Sequence, residues 1–365
     1  MKKIISVVGA RPNFMKVAPI HKAFQAYTDK VQHLICHTGQ HFDAKMSEVF
    51  FEQLEMPKPH FFLGIGGGSH AEQTAKIMIE FEKIVLSEKP DLVIVVGDVN
   101  STMACTVVTS KLGVKTAHVE AGLRSFDREM PEEINRLVTD VLADYLFTTE
   151  EKAHQNLLRE GISEDKIFFC GNVMIDSLVH FLPKIEKSSI LTQLGLEPGK
   201  FILCTFHRPS NVDSQESLTQ LVGLLNSLGS ERKVVFPIHP RTSNNLKKFG
   251  LDSNLSANLI LTEPIGYLDF LHLTKHAELI VTDSGGVQEE STWLGVQCIT
   301  VRDNTERPIT VDVGTNQLIG TDLTKVLDAS LKILQGYKKQ GGIPYLWDGK
   351  AAERITEIVV NQLLR

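Results

Sequence analysis

The sequence predicts two doubly wound α/β domains, each a parallel sheet wrapped by helices. Three observations carry this. Short β-branched runs alternate with longer helix-patterned stretches, the rhythm of βαβ units. That rhythm stops in the polar, turn-rich stretch between Ile185 and Gly199 and then starts again. The chain has 365 residues, and at roughly 100–200 residues per domain that length holds two.

In chain order, the strands of the first half are Ile4–Val8, Leu34–His37, Leu92–Val96, Thr116–Val119 and Leu146–Thr148. Each runs into a polar or glycine turn and then a helical pattern, as over Phe14–Tyr27, over Ser101–Leu112 and from Pro131 onward. The second half repeats this with Phe201–Phe206, Val234–Ile238, Asn258–Leu261, Leu279–Thr282 and Cys298–Val301. The expected domains are residues 1–172 and 173–350, with a C-terminal helix over Ala351–Arg365 crossing back to the first. Such sheets bind ligands outside the carboxyl ends of their strands, where the strand order reverses. Two of them facing one another would enclose a central cleft.

Charge and composition narrow the function. Lys and Arg number 38 against 44 Asp and Glu, a net charge of −6, so no basic face points to nucleic acid. Apolar residues make up 42% and charged residues 22%, which is ordinary globular usage. No apolar run approaches the ~18 residues of a membrane span. The N-terminal run Ile4–Val8 is cut off by Arg11, too early for a signal peptide. Five cysteines, at 36, 105, 170, 204 and 298, include no CxxC pair. They read as reduced, buried thiols in a cytoplasmic protein.

The residues that carry chemistry mostly follow strands. Gly9-Ala10-Arg11-Pro12-Asn13 opens a helix whose N-terminus, with Arg11 and Lys16, fits an anion site as well as it fits a tight turn. Asp283-Ser284-Gly285-Gly286 directly follows Leu279–Thr282. Its glycines admit backbone N–H groups to a phosphate, and Glu290, about one turn in, suits ribose hydroxyls. Asp98 and Glu120 each close a buried strand at the binding rim, where an acid is costly unless paired or used. Glu132 and Glu133 follow Pro131 at a helix start, where acids also serve the dipole. His207 and His239 close strands of the second half. His37 and His41 straddle Gly39 without an HExxH pattern, and no DxD pair or GxGxxG occurs. No metal and no dinucleotide cofactor is therefore expected.

Taken together the motifs resemble the non-hydrolysing UDP-N-acetylglucosamine 2-epimerases. The matching pieces are GARPNFMK (9–16), HTGQH (37–41), GDVNST (97–102), HVEAGLRS (118–125), MPEEINR (130–136), His207-Arg208, TDSGGVQEE (282–290) and RDNTERP (302–308). The resemblance implies the GT-B architecture, two Rossmann-like domains about a cleft. It implies an isomerase that interconverts UDP-GlcNAc and UDP-ManNAc by eliminating and re-adding UDP through a 2-acetamidoglucal. It makes Asp98, Glu120, Glu132 and His207 the catalytic group. Arg11, Lys16, Phe270, Ser284, Gly285, Gly286, Glu290 and Arg307 match positions that hold UDP, and Gln40 one near the sugar. No cofactor is implied, and the partners are the UDP-sugar and a second copy in a homodimer, with neither nucleic acid nor membrane.

Some bacterial members carry an allosteric site with a Gln three residues after the HTGQH glutamine; here Asp43 stands there. The loop SFDREM (125–130) is shorter than their SPW-containing loop. With HFFLGIGGGSH (60–70) it is more like the archaeal members and the UDP-2,3-diacetamido-glucuronate 2-epimerases. A 2-epimerase of that related sugar, or a GT-B glycosyltransferase, is the alternative reading.

Overall fold

A computed structural model describes residues 1–39 and 54–363. The chain divides into two compact units, Met1–His180 with Tyr345–Arg365, and Phe181–Pro344.

Unit 1 is built on seven strands: β1 (Lys2–Val8), β2 (Val31–His37), β3 (Phe61–Phe62), β4 (Leu92–Val96), β5 (Lys115–Ala121), β6 (Tyr145–Thr148) and β7 (Ile167–Phe169). All pair in parallel, in the order β3-β2-β1-β4-β5-β6-β7. The order reverses between β1 and β4. Every residue of β4 is buried, as a strand covered on both faces must be. Ile5, Val7, Val93 and Val95 pack on Ile77, Phe81 and Val85 of helix His70–Glu88 and on Val108 of helix Asn100–Leu112.

The first helix runs over Arg11–Phe24 and ends in a 3₁₀ turn, Gln25–Tyr27. It begins earlier than the apolar pattern predicts because Pro12 sits in the first turn, where its missing N–H costs nothing. Pro19 lies inside the same helix and leaves the Met15 carbonyl without its usual donor. The Ser177 hydroxyl donates to that carbonyl at 2.5 Å.

Unit 2 holds β8 (Phe201–Thr205), β9 (Lys233–Pro237), β10 (Leu259–Thr262), β11 (Leu279–Thr282), β12 (Cys298–Thr300) and β13 (Asn316–Leu318). They are parallel, in the order β10-β9-β8-β11-β12-β13, which reverses between β8 and β11. The side chains of β8 alternate between two cores. Ile202 and Cys204 join one face, and Phe201 and Leu203 the other.

The strands absent from the sequence reading, β3, β7 and β13, are all sheet edges. Edge strands are short and need only one apolar neighbour. β13 reads Asn-Gln-Leu and carries no strand pattern at all.

The segment Tyr345–Arg365 belongs to unit 1. Trp347 is buried there and its Nε1 donates to the Thr149 carbonyl at 3.0 Å. Asp176 accepts from the Ala351 and Ala352 amides at 3.1 and 2.6 Å, capping helix Ala351–Ile358. Burial nevertheless pushes the Asp176 carboxyl up to about 6. All five cysteines are buried and free. Among the described residues no helix is long and apolar enough to cross a membrane.

Candidate active site

In both units the candidate residues gather where the strand order reverses, and each reversal is bridged by a buried polar side chain. In unit 1 the bridge is Asn13. Its Oδ1 accepts from the Gly9 and Ala10 amides at 3.0 and 2.9 Å, and its Nδ2 donates to Val96 of β4 at 3.2 Å. The turn after β1 is thereby fixed to the end of β4. Arg11 is the first residue of the helix that follows.

Glu120 sits on a bulge. The register of β5 on β6 shifts between Val119 and Ala121, and Glu120 takes φ +75°, a conformation that disfavours any residue with a Cβ. The bulge re-aims the side chain, and its carboxylate pairs with Lys16 Nζ, both groups almost wholly buried. Gly97 makes room for this pair. A Cβ there would lie 2.8 Å from Lys16 Nζ, and its φ is +66°. Behind the bulge, His118 spans Asp140 Oδ1 (2.6 Å) and the Gly97 carbonyl (2.8 Å). Asp140 also accepts from Gly122 N at 3.0 Å and pairs with Arg124 at 2.7 Å. Burial alone would raise the Asp140 carboxyl, but His118 and Arg124 outweigh it and hold it below its ordinary value.

Two neighbouring acids separate into different jobs. Glu133 is buried; its carboxylate accepts from Ser125 N and Oγ (3.0 Å each), from Phe126 N (2.9 Å) and from Arg136 (2.8 Å). Burial works to raise its pKa, and the Ser125 amide and Arg136 reverse that and hold it low. Glu133 thus anchors the loop ahead of helix Pro131–Leu142. Glu132, one residue earlier on the same helix, is exposed. Asp98 is held at its side chain by Arg136 (2.5 Å) and at its carbonyl by Asn135 (2.8 Å). Arg136 therefore joins Glu133 and Asp98 to one helix.

In unit 2 the bridge is Asp283, which follows β11. Its buried carboxylate accepts from the amides of His207 (3.0 Å) and Arg208 (3.0 Å) after β8, and from Asn211 Nδ2 (2.9 Å). It also holds His207 Nδ1 at 2.8 Å, while more than half of that imidazole remains exposed. Burial opposes the Asp283 charge, but the His207 contact outweighs it and lowers the pKa.

Ser284 caps helix Gly285–Leu294 without spending its hydroxyl on the cap. Its amide donates to Thr282 Oγ1 at 2.9 Å. Arg307 lies against the same turn, its Nε 2.9 Å from Glu289 and its Nη1 paired with Glu306. A Cβ on Gly285 would stand 2.7 Å from Arg307 Nη1, whereas one on Gly286 would meet nothing within 4 Å. Glu290 is buried beside the Tyr267 hydroxyl; burial and the Glu289 charge push its carboxyl up to about 8. Phe270, on helix Tyr267–His276, is half-buried against the core.

Gln40, His41 and Asp43 lie outside the described residues. His239 accepts from the Arg241 amide at the start of helix Pro240–Lys248, a capping role. Arg136, Asn13 and Tyr267 were given no role by the sequence. Glu133 and Arg136 stand three apart on a helix, the spacing that puts an ion pair on one face, so part of that signal was present.

The chain is similar to known proteins over nearly its whole length. The family model described as UDP-N-acetylglucosamine 2-epimerase matches residues 22–360. The chain is 46% identical, over 98% of both sequences, to the UDP-N-acetylglucosamine 2-epimerase of Methanocaldococcus jannaschii. It is 41% identical, over 98% of this chain and 99% of the other, to the UDP-2,3-diacetamido-2,3-dideoxy-D-glucuronate 2-epimerase of Pseudomonas aeruginosa. The crystal structure of M. jannaschii UDP-GlcNAc 2-epimerase in complex with UDP-GlcNAc and UDP superposes with a TM-score of 0.89 at 45% identity, covering 98% of this chain and 99% of that one.

Proposed function

Since the chain belongs to the UDP-N-acetylglucosamine 2-epimerase family, we propose that it inverts C2 of a UDP-linked amino sugar, interconverting UDP-GlcNAc and UDP-ManNAc. Membership makes it an isomerase. The C2 hydrogen has no neighbouring carbonyl, so removing it directly is prohibitively hard. Breaking the C1–O bond first solves this: the bonding pair leaves with UDP, and C1 becomes electron-poor. The C2–H pair then forms a C1=C2 double bond while the proton passes to a carboxylate. Protonation of C2 from the other face and return of the UDP oxygen to C1 give the epimer.

The residue roles follow from charge. Arg307, His207, Arg11 and the Ser284–Gly286 amides stabilise the departing diphosphate. Glu120 and Glu132 exchange protons on the two faces of C2, and Asp98 stabilises the cationic C1. Lys16, Phe270, Glu290 and Gln40 position the UDP-sugar, and Lys16 also pairs with Glu120. The observation that carries the reading is the buried Lys16–Glu120 pair on the β5 bulge. It fixes an acidic side chain at a strained position that the fold maintains against a cost of about 1–3 kcal/mol.

The test is to incubate the protein with UDP-GlcNAc in D2O without any sugar acceptor. Deuterium enters C2 and the bridging anomeric oxygen scrambles, and both signals vanish in Glu120→Gln. A glycosyltransferase gives neither. The 41% identity to the diacetamido-glucuronate enzyme favours running that UDP-sugar in parallel, and the larger kcat/KM names the substrate. The same reading gives a cytoplasmic homodimer, checked by light scattering on the eluting protein.

A further inference from the structure

We propose that Glu186, His272 and His276 form a binding site for a transition-metal ion of the zinc class, separate from the residues assigned to the sugar. Each offers one ligand atom, and these atoms lie within 4.8 Å of one another. His272 and His276 are four apart on helix Tyr267–His276, so their rings leave the same face one turn apart; the ring centroids are 4.6 Å apart. Glu186 directly follows helix Val173–Ile185, so the set joins two distant parts of the sequence.

A second observation points to a ligand. His272 is 6% exposed, and among the described residues its Nδ1 has no hydrogen-bond partner. A buried polar nitrogen left unpaired is costly, and a ring fixed by its helix has little freedom to seek water. Two imidazoles and a carboxylate are the donor set of three-ligand zinc sites, with water in the fourth position. Magnesium and calcium prefer oxygen donors throughout, so the chemistry selects the softer ion. Around a tetrahedral ion the donors stand about 3.3 Å apart. Side-chain rotation brings them there, since Glu186 is exposed and His276 half-buried. The same exposure gives the ion a path in.

Lys275 pairs with Glu186. It holds the carboxylate near the histidines and also competes for it. Close by, Ser188 Oγ donates to Asp269 at 2.5 Å. A bound ion adds a second tie between the segment after Ile185 and the helix that carries Tyr267 and Phe270, so its effect is read in stability rather than in the chemical step.

The test uses the full chain, stripped with a chelator that is then removed and titrated with cobalt(II) and afterwards zinc(II). The expected result is one cobalt per chain with the visible d–d bands of a tetrahedral site, displaced by one zinc, with a rise in Tm. His276→Ala and Glu186→Gln, both at accessible positions, remove the bands and the Tm rise. Lys275→Met frees the carboxylate and tightens binding several-fold. Absence of tetrahedral bands in the unmodified chain overturns the proposal, as does binding that persists unchanged in both His276→Ala and Glu186→Gln.

Discussion

The Lys16 ammonium and the Glu120 carboxylate form an ion pair with side-chain exposures of only 6% and 2%. Such a pair is weak evidence for net stability, but breaking it by removing one partner typically costs about 3–5 kcal/mol. Lys16→Met lowers stability by that amount, and Lys16→Met with Glu120→Gln recovers much of it. Urea midpoints of the two single variants and the double variant measure the coupling. Additive losses would mean that the pair does not hold.

Glu132→Gln and Glu133→Gln separate a chemical from a structural acid. Glu132 is exposed, so its substitution changes stability by within about 0.5 kcal/mol while lowering C2 exchange by ~10²–10⁴, the usual contribution of a general acid or base. Glu133 accepts from Ser125, Phe126 and Arg136. Glu133→Gln therefore lowers the melting temperature first, and activity follows the folded fraction.

Gly285→Ala and Gly286→Ala test the turn proposed to hold the diphosphate. A Cβ at 285 meets Arg307 Nη1 at 2.7 Å, so Arg307 is displaced and UDP binding drops by ~10–100-fold, the loss of one hydrogen bond to a charged group worth about 1.5–3 kcal/mol. A Cβ at 286 meets no protein atom within 4 Å. Gly286→Ala folds normally, gaining up to about 0.5–1 kcal/mol of helix stability, yet weakens UDP if a phosphate approaches that amide. Calorimetric titration with UDP and a melting curve on each variant give both readings.

Glu290 gives a pH dependence with a definite sign. Burial and the Glu289 charge raise its carboxyl to about 8, so the native chain holds this proton more tightly than the unfolded chain does. The stability it contributes is complete below the ordinary glutamate range and is lost as pH climbs through about 8. Glu290→Gln removes that loss. Urea midpoints from about pH 6 to about pH 9 fall less in the variant than in the unmodified chain, and equal slopes would contradict the assignment.

What the sequence conveyed follows from locality. β4 is an unbroken apolar run and was placed correctly, and the Ser284–Gly286 turn was legible because a strand, a serine and two glycines are adjacent in sequence. The bridges across each strand reversal were not legible. Asn13 reaches Val96 across 83 positions, and Asp283 reaches the His207 amide across 76, so no local pattern announces either. Glu132 and Glu133 carry the same composition signal. Only the turn of about 100° between successive helical residues sends one inward and leaves the other outside. The bulge at Glu120 was hidden as well, because glutamate in a strand gives no hint of a positive φ.

The return of Tyr345–Arg365 to unit 1 bears on how the chain is made. Unit 2 is continuous, Phe181–Pro344, and has every residue of its core as soon as Pro344 is synthesised. Unit 1 emerges first but stays open at Asp176 and Thr149 until Ala351, Ala352 and Trp347 arrive. The half that leaves the ribosome earlier is thus the half that closes last. The Asp176 carboxylate gains these two donors only after the whole of unit 2 has been made.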